Sequence, residues 1–315
     1  MAKKIYIVTP CYNDWESLSA LLTDIDKENE KYAHDLHVVV VNDGSSQENP
    51  FEWSKWGGGY KEITQIDLVR NVGHQRAICV ALAYINANFA DYDGVVVMDC
   101  DGEDDYRDVF RFIDDLSADE IIFARRRKRS ESLSFRVFYS FYKALFKMLT
   151  GHVLQGGNFS LIPSAMLNKV VHLSEIWNHY HAGILKSRLK IKYLDCDRAQ
   201  RYRGKSKMNF VSLVTHGLSS VSVFNDIVFV KLTLFAILFF IGSLGAIAFV
   251  LFLKFVLDRA TPGWATTSIG ILLILCTQFL FMVINFTFTT LGSRNMHTFM
   301  LEREYKSYIM QIKTN

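Results

Sequence analysis

Proline is scarce in this chain, four in 315 residues, while half of the residues are apolar. That combination excludes a disordered or collagen-like protein. The five cysteines (Cys11, Cys79, Cys100, Cys196, Cys276) stand far apart and form no CxxC pair. A zinc ribbon and a disulfide framework are thereby excluded, and a reducing compartment is expected. An excess of one charge is also missing. The 35 basic and 32 acidic residues leave +3, too little for a dedicated nucleic-acid binder. No GxGxxG and no Walker loop occur, so NAD and ATP chemistry lose support. Repeats and low-complexity tracts are absent, and Gly57-Gly58-Gly59 reads as a loop. Met-Ala-Lys-Lys runs straight into a strand with no long apolar stretch, so no secretion signal is expected.

The apolar residues that are present lie unevenly, although the mean hydropathy is only +0.12. From Leu232 to Leu253 the run LTLFAILFFIGSLGAIAFVLFL carries no charge. About 22 helical residues at 1.5 Å each are enough to cross a hydrocarbon core of roughly 30 Å. A second uncharged run covers about 266–291, with Pro262-Gly263 breaking the connection and Trp264 suited to an interface. Arg201, Arg203, Lys205, Lys207 and Lys231 precede the first span, and Arg294, Arg303, Lys306 and Lys313 follow the second. The connecting loop has only Lys254 and Arg259, offset by Asp258. The positive-inside rule then places both termini and the large N-terminal part in the cytoplasm, in a multi-pass protein of the cytoplasmic membrane. Two flanking segments show helical apolar spacing: Phe210, Val211, Val214, Leu218 and Val221, then Leu301, Tyr305, Tyr308, Ile309 and Ile312. For the first, a helix on the membrane surface and a helix packed on the globular part are both open.

Before the spans, strand and helix patterns alternate. Lys4–Val8, Leu36–Val41, Ile63–Leu68, Gly94–Met98 and Ile121–Ala124 read as strands. Helices are expected around Leu18–Ile25, Gln75–Asn88, Val109–Leu116 and Phe135–Leu149. Such alternation implies an α/β domain with a mostly parallel sheet, whose ligands bind at the carboxyl ends of the strands. The expected organisation is a domain at 1–207, an amphipathic interface helix at 208–228, two spanning helices within 229–292 and an amphipathic tail at 293–315.

Chemistry-bearing residues gather at those strand ends. Asp99-Cys100-Asp101-Gly102-Glu103-Asp104-Asp105 packs carboxylates that repel one another. Either a divalent cation such as Mg²⁺ or Mn²⁺ offsets the repulsion, or the run is an acidic loop capping the next helix. The spacing is not that of an EF-hand. Thr9-Pro10-Cys11-Tyr12-Asn13-Asp14 and Asn42-Asp43-Gly44-Ser45-Ser46 end two other strands, where an Asp can accept from a ribose hydroxyl or a base N–H. Leu68-Val69-Arg70-Asn71-Val72-Gly73-His74 ends another, with Arg70 available for phosphate. His179 and His181, two apart, suit local polar contacts better than a metal, and Cys11 and Cys100 read as packing residues.

The motifs TPCYND, VNDGSS, LVRNVGH, DCDGED and RYRGKSK, in this order, resemble those of family-2 glycosyltransferases of the GT-A fold. The chain is most similar to the polyprenyl-phosphate group of dolichyl-phosphate mannose synthase and the bacterial glucosyl and aminoarabinosyl enzymes. This resemblance implies that Pro10, Tyr12, Asp14, Asp43, Arg70 and Asp99 serve the nucleotide and that Asp99, Asp101 and Glu103 hold the metal. It also implies that Arg125, Arg136 and Ser140 grip a lipid phosphate and that Arg201, Ser206 and Lys207 close over the diphosphate. For Lys128 and Arg129, a solvated face or anionic-lipid contact is the plainer alternative. Asp14 stands where the family usually has Glu, Glu103 where it has Gln, and Asn158 where it often has an Asp regarded as a possible base. Asn cannot take a proton, but a phosphate acceptor with a second pKa of about 6 needs little deprotonation near neutrality.

The implied activity is inverting, metal-dependent transfer of one sugar, expected to be a UDP-linked hexose, to a membrane polyprenyl phosphate such as undecaprenyl phosphate. The product would donate sugar for cell-envelope glycan modification. A GDP-mannose donor and an inactive scaffold of the same fold are the alternatives. A polysaccharide synthase is disfavoured because Gln200-Arg201-Tyr202-Arg203 leads to Gly204 rather than completing QxxRW. A transporter is disfavoured because neither span contains an ionisable residue. A homo-oligomer is compatible with the resemblance.

Overall fold

The computed structural model describes residues 2–126, 133–204, 210–257, 259, 263–294 and 299–315. The chain divides into two compact units. The first comprises Met1–Lys143, Val153–Val223 and Thr298–Asn315, and the second Ala144–His152 and Phe224–His297.

In the first unit, alternation along the strands builds a core on each face of one sheet. In β1 (Lys4–Cys11), Tyr6 and Val8 enter one core while Ile5 and Ile7 enter the other. In β2 (Asp35–Asn42), Val39 and Val41 join the first, and Val38 and Val40 the second. Strands buried on both sides read as continuous apolar runs, as LHVVVV does. α2 (His74–Asn88), α5 (Ser164–Val171) and α6 (Tyr180–Lys186) cover the first face. The second is covered by α1 (Trp15–Asn29) and α3 (Tyr106–Asp114), which bury Leu18, Leu21, Leu22 and Ile25, and Val109, Phe110, Phe112 and Ile113.

The other strands are β3 (Glu62–Leu68), β4 (Gly94–Val97), β5 (Ile121–Arg126), β6 (Gly156–Pro163), β7 (Ile191–Cys196) and β8 (Ile309–Thr314). Their order in the sheet is β7-β5-β6-β4-β1-β2-β3-β8. β6 runs against β4 and β5, β8 runs against β3, and the remaining pairs are parallel. The sheet is thus mostly parallel, with α/β order, as the sequence implied. β6, β7 and β8 were not among the expected strands.

The C-terminal segment departs from its helical spacing. Only Leu301–Glu304 is α-helical (α10); Tyr305–Tyr308 tightens into a 3₁₀ turn and Ile309–Thr314 becomes β8. The open edge of β3 accounts for the change, because it offers a ladder of backbone partners from Thr64↔Thr314 to Leu68↔Ile309. The expected tail is therefore part of the domain. Leu301 and Tyr305, one helical turn apart, are buried in the first core.

α4 (Leu133–Thr150) exposes Phe141, Leu145 and Met148 along one face. α7 (Phe210–Ser222) meets α4 through Tyr142, whose hydroxyl lies 2.5 Å from Ser220 Oγ. Gly217 lets the Tyr142 ring approach so closely that a Cβ would meet its Cε2 at 3.1 Å. Val211 and Leu218 remain exposed on the opposite side of α7. The segment therefore has one packed face and one free apolar face.

In the second unit, α8 (Asn225–Phe255) and α9 (Trp264–Arg294) contain 31 residues each. At 1.5 Å per residue each is roughly 46 Å long, more than a bilayer core requires. They pack together through Phe229–Phe286 at 5.9 Å and Phe239–Phe279 at 5.4 Å. Only 17% of the most apolar window of α8, and 6% of that of α9, is buried, unlike the core helices of a soluble domain. Pro262 of the expected breaker lies outside the described residues.

Tyr305 is 2% exposed. Tyr305→Ala is expected to lower the stability of the first unit by about 3 kcal/mol, the cost of emptying a buried aromatic position. Urea titration in detergent, followed by far-UV circular dichroism, measures that loss.

Candidate active site

The parallel strands bring their carboxyl ends to one edge of the sheet, and each acidic motif follows such an end. β1 stops at Cys11. Beyond it come exposed Tyr12, Asn13 at φ 51° and Asp14 at the start of α1, while Pro10 is buried in the strand end. After β2, Gly44 has φ +66°, and a Cβ there would lie 2.4 Å from the Asn71 nitrogen, so this turn rests directly on the loop after β3. Asp43 fastens the contact, accepting from Val72 N at 2.7 Å and Gly73 N at 3.1 Å. Burial raises its pKa in spite of those two bonds. Arg70 is exposed in the same loop.

The acidic loop after β4 is covered by residues 198–204. Gly102, at φ +82°, makes this possible, since a Cβ would fall 2.2 Å from the Tyr202 ring. Tyr202 N donates to Asp101 O at 3.0 Å, Ala199 N to Glu103 O at 3.0 Å, and the Tyr202 hydroxyl to Asp24 Oδ2 at 2.6 Å. A cavity of about 350 Å³ beside this cover is lined by Asn13, Asp14, Glu16, Gln47, Arg201 and Arg203 among others.

Side-chain cations answer the carboxylates one by one. Arg201 spans two of them, reaching Asp14 Oδ2 and Asp101 Oδ2 at 3.1 Å each. Arg198 pairs with Glu103, and Arg126 with the buried Asp104 at 3.0 Å. His74 Nε2 lies 2.9 Å from Asp99 Oδ1, and both facing atoms are shielded from solvent. Burial works against the Asp99 carboxylate, but the His74 charge and hydrogen bond outweigh it and hold its pKa below the usual range. The same pairing raises His74 against the opposing effect of burial. Asp101 and Asp104 are both pushed up, first by burial and then by the Asp99 charge.

The repulsion read from the sequence is therefore relieved by Arg126, Arg198, Arg201 and His74. Among the described residues, no three His, Cys, Asp or Glu side chains form a ready-made cation cage. The donor chemistry nonetheless fits a hard divalent cation. Asp99 and Asp101 present carboxylates from one loop, and the Asp99 charge still raises Asp101.

Of the expected site residues, the structure brings together Asp14, Asp99, Asp101, Glu103 and Arg201. Arg125 is not among them: its side chain is 47% exposed and pairs with Asp195 at 2.6 Å. Alternation in β5 is the reason. Ile122 and Ala124 share one face and Phe123 the other, so Arg126 follows the first pair toward Asp104 while Arg125 points away. The same alternation was available in the sequence. Arg136 lies on α4 with its side chain outside the described residues, as are Ser206, Lys207 and Lys128–Arg129, and Ser140 is exposed on α4. Asn158 Oδ1 accepts from Gln75 Nε2 at 2.9 Å, and Gln75 Oε1 accepts from Tyr180 N at 2.7 Å. Asn158 is thereby tied to the residue next to His74. Arg126, Arg198 and Gln75 are site or supporting residues that sequence reasoning did not select.

The two histidines take polar contacts within the fold. His179 Nδ1 accepts from Ala182 N at 3.2 Å, capping α6. His181 stacks on Phe123 at 4.3 Å and reaches Gly156 O and the Tyr193 hydroxyl. Cys11 and Cys100 are buried in the second core.

The description Glycosyl transferase family 2 matches residues 6–177, more than half of the chain. The chain belongs to glycosyl transferase family 2. A relative from Bacillus subtilis, the uncharacterized glycosyltransferase YkoT, is 28% identical over 278 residues, covering 84% of this chain and 80% of the relative. The bactoprenol glucosyl transferase of Shigella phage SfII is 24% identical, with 70% and 72% covered. The undecaprenyl-phosphate 4-deoxy-4-formamido-L-arabinose transferase of Proteus mirabilis is 24% identical, with 67% and 64% covered. Among solved structures, glucosyl-3-phosphoglycerate synthase from Mycobacterium tuberculosis aligns with a TM-score of 0.50 at 17% identity, over 70% of this chain and 80% of that one. That likeness bears on the GT-A fold alone.

Two outcomes are expected. Arg126→Ala strands the buried Asp104 carboxylate and should cost roughly 3 kcal/mol, whereas Arg125→Ala, removing an exposed pair, should leave the urea midpoint nearly unchanged. Urea unfolding of both variants separates the two roles. Burial pushes His181 from 6.5 down to about 4. The unfolded chain therefore binds more protons between those values, and the stability present above pH 6.5 is lost as pH falls toward 4. Urea midpoints measured across that range should fall less in His181→Gln than in the parent.

Proposed function

We propose that this family-2 enzyme transfers a single sugar, with inversion, from a nucleotide-sugar to a membrane polyprenyl phosphate. The observation carrying the reading is the Asp14–Arg201–Asp101 bridge at the strand ends, in a chain that also bears two long apolar helices. The names of the phage and Proteus relatives, a bactoprenol and an undecaprenyl-phosphate transferase, support the lipid acceptor. A UDP-linked hexose is the proposed donor and the cytoplasm the proposed side, the latter from the basic residues flanking the apolar runs.

In this reading Pro10, Tyr12, Asp14, Asp43 and Arg70 surround the nucleotide, and Asp99, Asp101 and Glu103 hold Mg²⁺ or Mn²⁺. The cation, when bound, would neutralise diphosphate charge and help its departure. Arg201 exchanges its two carboxylates for the donor diphosphate, joined by Ser206 and Lys207 from the same segment. Arg136 and Ser140 are the proposed contacts of the acceptor phosphate, Arg125 stays with Asp195 outside this group, and Arg126 keeps the acidic loop in place through Asp104. A phosphate oxygen attacks the anomeric carbon as the bond to the diphosphate breaks, and the electron pair leaves with the diphosphate. No protein base is required, because the acceptor is already ionised. Asn158 accordingly orients through Gln75 rather than accepting a proton.

The test supplies purified protein in detergent with undecaprenyl phosphate, Mg²⁺ or Mn²⁺, and a panel of UDP- and GDP-sugars. A lipid heavier by one sugar, formed by the parent and not by Asp101→Ala, is the expected result. Nucleoside diphosphate released without a lipid product would exclude this acceptor. Absence of turnover with every donor would leave the scaffold reading.

A further inference from the structure

β8 follows the apolar helices in the chain, yet it forms the edge strand beside the nucleotide end of the sheet. Its Lys313 Nζ lies 3.1 Å from Asp67 Oδ2, and the Asp67 side chain is only 5% exposed. Asp67 Oδ1 accepts from Asn42 Nδ2 at 2.8 Å and from Gln65 Nε2 at 2.6 Å. Asn42 Oδ1 in turn accepts from Ser45 N at 3.0 Å, and Ser45 Oγ accepts from Asn13 N at 2.9 Å. Asn13 Oδ1 accepts from Gln47 N at 3.0 Å, and Gln47 O accepts from Trp15 Nε1 at 3.0 Å. The contacts are continuous from the C-terminal strand, across the ends of β3, β2 and β1, to both neighbours of Asp14. Asn13 sits at φ 51°, in the left-handed region that asparagine adopts more readily than most other non-glycine residues.

We propose that Lys313 is a positioning residue for the donor-nucleotide pocket, acting through Asp67, Asn42 and Ser45 on the Asn13–Asp14 turn. The pocket's ligand rests on the nucleotide-sugar reading above; the coupling itself does not. Lys313 supplies the cation for a carboxylate whose other partners are neutral amides. Without it, the Asp67 carboxylate has no cation and turns toward water, and the Asn42 amide loses its fixed acceptor. The turn after β2 then loses the orientation that holds Asn13.

The experiment uses full-length protein in detergent, labelled with 5-fluorotryptophan, with the Trp15 resonance assigned by Trp15→Phe. Lys313→Met should shift or broaden the ligand-free Trp15 ¹⁹F resonance while leaving that of Trp264 in place. Lys313→Arg, which keeps the charge, should restore it. Met310→Ala, at an exposed position of the same strand, should leave it unchanged. Should the methionine variant fail to fold, Lys313→Gln is read in the same way. Under turnover, the Lys313→Met variant should raise the donor KM by about fivefold, with kcat and the acceptor KM little altered. A Trp15 resonance identical in all variants would overturn the proposal, as would failure of Lys313→Arg to restore it. So would a uniform loss in kcat and both KM values. A moved Trp15 resonance in a protein that binds no nucleoside diphosphate would sustain the coupling and remove the nucleotide-sugar reading.

Discussion

Carboxylates crowded at the ends of buried parallel strands set the central physical problem of this domain. Asp14, Asp99, Asp101, Glu103 and Asp104 converge where the sheet delivers its chain ends, partly removed from water. Like charges about 4 Å apart repel by about 1 kcal/mol in water and several times more near a protein surface or interior. Arg126, Arg198, Arg201 and His74 relieve that repulsion from three elements: the end of β5, the segment crossing the acidic loop, which carries both Arg198 and Arg201, and the start of α2. The acidic loop, its cover and the first turn of α1 are therefore mutually dependent.

The cover itself follows from a small residue. Gly102 leaves room for the Tyr202 ring, and Tyr202 anchors residues 198–204 to α1 through Asp24. That places Arg201 between two carboxylates, Asp14 and Asp101, which the proposed diphosphate would replace. Guanidinium donors already oriented toward oxygen pairs lose less freedom when one oxyanion replaces another. In the proposed function the same side chain serves the resting protein and the donor diphosphate.

Much of the first unit was legible locally. The runs at Leu36–Val41 and Gly94–Met98 are long enough in β-branched residues to identify buried strands, and their polar endings mark the functional edge. β6 and β7 were missed because GGNFSLIP opens on Gly-Gly-Asn, which reads as loop, and IKYLDC mixes charged and apolar residues. The C-terminal segment kept helical spacing in Leu301 and Tyr305 but met an unpaired strand edge at β3, and backbone pairing there overrode the periodicity. Arg125 and Arg126 were equally plausible as letters. Strand alternation distinguishes them, since the core assignment of Phe123 fixes which of the two faces Asp104.

Composition and order alone determined the α/β class, the two apolar helices and the family motifs, because each is a property of neighbouring residues or of their period. Which cation answers which carboxylate was decided only by the tertiary structure. Asp14 and Arg201 meet across 187 positions of sequence, and Asp67 and Lys313 meet across the whole apolar region. Charge pairing depends on distance in space and on shielding from water. Neither quantity is written in the order of residues until the strands have been laid side by side.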